Sequence, residues 1–126
     1  MKLLLRRDQK KGLIGGKITF TLDARAELSD DEAANVKKYH LGKEILYEKK
    51  KVDLDGTGLI GVAARLATKA INLTVTVDDM VKGKHLECKD IVEMRAVEEQ
   101  IKEASSIFKE ILETATHFGG EEVIEY

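Results

Sequence analysis

Residues 18–27 read ITFTLDARAE, and their alternation decides the fold class. Ile18, Phe20, Leu22, Ala24 and Ala26 fall on one side of an extended chain, and Thr19, Thr21, Asp23, Arg25 and Glu27 fall on the other. A strand with one apolar and one polar face belongs to an antiparallel sheet that is packed on one side and wet on the other. A strand buried in a parallel sheet would be apolar throughout.

Upstream, KLLLRR at residues 2–7 is a second short strand, joined to the first by the Gly- and Lys-rich connection DQKKGLIGGK, which is expected to be a mobile hairpin loop over residues 9–17. Downstream, Ser29-Asp30-Asp31-Glu32 has the spacing of a capping box, in which a hydroxyl and a carboxylate satisfy amides of the first helical turn. The helix that follows runs to about His40, with Gly42 as its expected stop. A third strand is expected within KEILYEKKKVDL, and a short apolar helix over about Leu59 to Ala70. LTVTVDD at 73–79 and KHLECK at 84–89 read as the two arms of a hairpin turned at Lys82-Gly83.

The last helix is expected to open at Asp90 and to run to Phe118, where Gly119-Gly120 ends it. Met94, Val97, Ile101, Ala104, Phe108, Ile111, Ala115 and Phe118 recur at alternating steps of three and four, a heptad seam. About 29 helical residues would span roughly 43 Å. A domain of this size is only some 30–35 Å across. Part of the seam should therefore overhang, and a second copy of the chain is the simplest cover. Glu93, Glu98, Glu99 and Glu103 lie off the seam and read as a solvated face.

The expected fold is a single α+β domain over residues 1–126. It has an antiparallel sheet of about five or six strands, a long C-terminal helix across it and one or two short helices. At 43% hydrophobic and 35% charged the composition suits one globular core. With three Phe and no Trp, that core is built mainly from Ile, Val, Leu and Ala. Arg6 and Arg7 interrupt the opening leucines before they reach signal-peptide length, no apolar run reaches the length of a membrane span, and the single Cys88 has no internal disulfide partner. These features lead us to expect a cytoplasmic protein. Net charge is −2, but the ends differ in sign. Residues 1–17 carry six basic side chains against Asp8, while residues 90–126 carry ten acidic ones against three basic. We read this as two strands, KLLLRR and EEVIEY, lying side by side with opposite charges facing. The basic run is short and lacks interleaved aromatics, which argues against nucleic acid.

DLDGTGLIG at residues 53–61 admits several readings. As DxDGT it resembles the nucleophile motif of haloacid-dehalogenase-like phosphatases, and that resemblance implies a nucleophilic Asp53 with Asp55 as acid and base. The later acidic pair, Asp78-Asp79, follows too soon for the βα units which that family places between the motifs. As a calcium loop it offers Asp53, Asp55 and Thr57, with Gly58 at the turn, but its twelfth position is Ala64, which has no ligand to give. As GxGxxG, Gly56, Gly58 and Gly61 would hold a pyrophosphate at a helix N-terminus, with Asp78 about 20 residues on. The charged approach YEKKKVDLD is unlike a buried parallel strand. A plain turn at Asp55-Gly56 is the fourth reading.

His40, His85, Cys88 and His117 are scattered over separate elements and do not form a metal set. His85 and Cys88, three apart on a strand, should point to opposite faces. With no assembled catalytic set, the sequence leads us to expect a small non-catalytic binding or assembly protein that self-associates. The contact would use Met94, Val97, Ile101, Phe108 and Ile111 of the last helix, or a sheet edge. The alternative is a nucleotide- or phosphate-binding protein, including an enzyme, that uses Gly56, Gly58, Gly61 and Asp78. No cofactor is expected under the first reading.

Overall fold

A computed structural model describes residues 1–12, 16–48 and 73–126. The elements are β1 (Lys2–Lys11), β2 (Ile18–Glu27), α1 (Asp30–Lys38), β3 (Ile45–Glu48), β4 (Thr74–Thr76), α2 (Val77–Lys82), β5 (Lys84–Cys88) and α3 (Ile91–His117). The class is α+β, as expected. The strand arrangement differs: among the described residues there is a three-stranded antiparallel sheet in the order β1-β2-β5 and a separate two-stranded sheet of β3 and β4. No single sheet of five or six strands is present among the described residues.

The reason lies in Thr76. Its hydroxyl accepts the Asp79 amide at 3.3 Å and the Asp79 carboxylate accepts the Thr76 amide at 3.0 Å, a second capping box inside LTVTVDD. The cap ends β4 after three residues and turns the chain into α2, so the expected hairpin of 73–79 with 84–89 is lost. β4 pairs instead with β3, across a register shift between Ile45 and Tyr47, and β5 pairs with β2.

β1 and β2 form a long hairpin in register from Lys2↔Glu27 to Lys11↔Ile18. Pairing thus enters the start of the segment expected to be a loop, as far as Lys11, and Gly12 donates to the Lys17 carbonyl at 2.7 Å. The inward face of β2 carries Leu22, Ala24 and Ala26, all buried, as the alternation requires. They form one core with Leu46, Leu73, Val75, Val77, Met80, Cys88 and the buried face of α3.

α1 begins as expected. The Ser29 hydroxyl accepts from Glu32 N–H and the Glu32 carboxylate from Ser29 N–H, at 3.2 and 3.0 Å. Its stop falls earlier than Gly42. Tyr39 is the cap, His40 takes the left-handed conformation at φ 53°, and Leu41 N–H reaches back to the Val36 carbonyl at 2.9 Å. A histidine therefore occupies the position that glycine usually fills.

α3 packs on β2, β3, β5 and α1. Its buried positions are Met94, Val97, Ile101, Ala104 with Ser105, Phe108 and Leu112. They advance eighteen residues in five steps, the period of a straight helix of about 3.6 residues per turn, and not the 3.5 of a supercoiled seam. Leu112 takes the inward place expected for Ile111, and the last seam positions rotate out of the core. Glu93 and Glu98 rotate in. Both are buried, contrary to the solvated face expected for them, and Glu98 accepts a hydrogen bond from Arg7 on β1.

That bond joins the basic strand to the acidic helix, so the opposite charges of the two ends do meet, though not as a pair of strands. Residues 118–126 form no regular structure, and EEVIEY is not paired with β1. Arg7 sits beside Glu98, about 30 Å along the helix axis from Phe118. The connection through Gly119 and Gly120 is too short to bring Glu121 back to it. No helix among the described residues is long and apolar enough to cross a membrane.

Candidate functional site

Two surfaces stand out among the described residues, one charged and one apolar. The charged one is the outer face of the three-stranded sheet. Register places Arg6, Asp23 and His85 in one row across β1, β2 and β5. His85 Nδ1 lies 2.6 Å from Asp23 Oδ1, and Arg6 Nε donates to Asp8 at 2.9 Å. Asp23 therefore fixes the imidazole orientation. An open pocket of about 540 Å³ borders this row, and Arg25, Lys82 and Lys84 line its rim. Lys84 is tied to Asp79 at 3.6 Å and to the Thr74 carbonyl at 3.4 Å. Arg25 and Lys82 have no ion-pair partner among the described residues.

A carboxylate-held imidazole can relay a proton, but catalysis by it needs a nucleophile or a bound substrate atom within reach. Cys88 does not supply one. It points to the opposite face, opposite Phe20 in the register and only 1% exposed. Burial pushes its thiol pKa up, and the negative charges of Glu93 and Asp90 push it further. The thiolate, which is the reactive form, is disfavoured on all three counts. The expected opposition of His85 and Cys88 holds, and no group of three or more potential metal ligands forms among the described residues.

The apolar surface lies where the last turns of α3 leave the core. Tyr39, Leu41, Ile107, Ile111, Ala115 and Phe118 line an open groove of about 380 Å³. The Phe118 ring meets Tyr39 edge to face at 5.5 Å and remains 70% exposed. Asn35 on α1 donates to Thr116 at 3.4 Å, tying the two walls together. Beyond the groove, Val123 and Ile124 are 79% and 61% exposed. These side chains leave apolar surface open to water.

Of the residues singled out from the sequence, Gly56, Gly58 and Gly61 lie outside the described residues. Asp78 sits in the first turn of α2 rather than at the end of a strand, with its carboxylate against Gly42. Met94, Val97, Ile101 and Phe108 are in the core, and Ile111 lines the groove. Sequence reasoning missed Tyr39 and Leu41, which reach the groove only because His40 adopts a left-handed turn. It also missed the Asp23–His85 pair, whose signal was alternation read on both strands at once. Comparison of the chain with family models, with curated proteins and with solved structures finds no match to any of them.

Proposed function

We propose that this is a small non-catalytic binding or assembly protein that self-associates, using the end of α3 and the residues after it. The supporting observation is the open groove of Tyr39, Leu41, Ile107, Ile111 and Phe118, with Val123 and Ile124 exposed a few residues further along the chain. Covering such side chains contributes roughly 25 cal/mol per Å² of apolar area removed from water. The contact differs from a coiled-coil seam, because Met94, Val97, Ile101 and Phe108 are already used within the chain.

Light scattering at high micromolar concentration tests the reading. The expected particle is at least a dimer, and Ile107→Asp with Phe118→Asp should convert it to a monomer with an unchanged circular dichroism spectrum. A monomeric wild-type particle at that concentration removes the proposal.

A further inference from the structure

β1 is an edge strand. Among the described residues it pairs only with β2, and its outer edge presents ten residues of backbone, with every side chain from Arg6 to Lys11 exposed. Open edges are templates for another strand. The segment EEVIEY at 121–126 has the residues of a strand, exposes Val123, Ile124 and Tyr126, and pairs with no strand among the described residues.

Set antiparallel, the two segments match position by position. Glu121 falls opposite Arg7 and Glu122 opposite Arg6. Val123 meets Leu5, Ile124 meets Leu4, Glu125 meets Leu3 and Tyr126 meets Lys2. Two opposite-charge pairs and two apolar pairs lie side by side, each the kind of cross-strand contact that stabilises a sheet. The Arg7 guanidinium, although bonded to Glu98, is still 54% exposed and keeps N–H donors for a second carboxylate.

The same chain cannot make this register. From Glu98 to Phe118 the helix rises about 30 Å. The three residues from Phe118 to Glu121 span at most about 10 Å. Arg7 is held at Glu98, so Glu121 of the same copy falls short of it even with both side chains fully stretched.

We propose that residues 121–126 of one copy add as a fourth strand to the β1 edge of a second copy. The exchange is reciprocal, so that a two-fold axis closes the dimer. This rests on the self-association reading and assigns its contact. The charge asymmetry between the two ends then acts as the recognition code: basic edge, acidic strand.

The test mixes two full-length proteins, one carrying Leu4→Cys and the other Ile124→Cys, under mild oxidation, with Cys88 buried and silent. The expected result is a mixed disulfide dimer of one chain of each kind. Val123→Pro, added to the second protein, should remove a backbone donor and suppress that dimer at least about tenfold, the factor that corresponds to about 1.4 kcal/mol. In sedimentation, Glu121→Arg with Glu122→Arg should weaken the dimer by a similar factor. These exposed positions leave the core untouched.

If the wild type is a dimer but no mixed disulfide forms, the strand exchange is overturned while self-association stands. It is equally overturned if the proline variant cross-links as well as its parent. If Leu4→Cys and Ile124→Cys in one chain close a disulfide within a monomer, the segment pairs with its own strand, and the exchange is again wrong. A monomeric wild type removes both proposals.

Discussion

The first and last turns of α3 are made of the same residue types and differ in what they touch. From Met94 to Phe108 the apolar stripe is sealed against β2, β3 and β5. At Ile111, Ala115 and Phe118 the same heptad spacing continues, but a straight helix of about 3.6 residues per turn carries those positions away from the sheet. An apolar period close to but not equal to that of the helix therefore divides one stripe into a core half and a surface half. Length alone predicted an overhang; the drift of the period determines which residues it exposes.

Replacing one aromatic in each half breaks or confirms that contrast. Phe108→Ala removes a fully buried ring and should cost about 3–5 kcal/mol in urea unfolding. Phe118→Ala removes a mostly exposed ring and should change monomer stability by less than about 0.5 kcal/mol while weakening self-association. Equal costs at the two sites would show that the groove end is as much part of the core as the sheet end.

A smaller effect is expected at the start of α1, the other wall of the groove. The Glu32 carboxyl is held below its ordinary value, chiefly by the hydrogen bond from the Ser29 amide, with partial burial opposing and the nearby amino terminus of Met1 reinforcing. A carboxylate depressed in the folded state contributes stability that is present at neutral pH. That stability is lost as pH falls from the ordinary glutamate value through the lower folded value. Glu32→Ala should therefore cost about 1 kcal/mol at pH 7 and progressively less at pH values below about 4. Glu32→Gln retains an acceptor and should flatten the pH dependence of stability in that window.

The smallest effect is expected at His40. Its φ of 53° is strained for a residue with a β-carbon. His40→Gly should raise stability by a few tenths to about 1 kcal/mol in thermal unfolding, since the gain in backbone freedom of the unfolded chain offsets part of the relief. A loss instead would mean that the imidazole itself contributes to the wall formed by Tyr39 and Leu41.

Elements whose signals are local were legible in the sequence. The alternation of ITFTLDARAE gave the sheet face, Ser29 and Glu32 gave the start of α1, and Asp90 gave the start of α3. The misreadings came where two local signals competed. Within LTVTVDD the alternation suggested a strand through Asp79, yet Thr76 and Asp79 also form a cap, and the cap won because it satisfies two amides at once. Glu93 and Glu98 were assigned to solvent by heptad counting, and the burial of Glu98 depends on Arg7, ninety-one residues away. Of the candidate site, Ile111 and Phe118 could be read from their spacing. Tyr39 and Leu41 could not, because a left-handed histidine is not a sequence pattern.

The isolation of Cys88 has a practical consequence. As the only thiol in the chain, fully enclosed between β5 and the core, it reacts with an external reagent only when that part of the protein opens. The rate of its labelling under native conditions is then a clock for that opening. The protein thus carries its own probe of how often the edge of its sheet comes apart, readable without adding a dye or altering a residue.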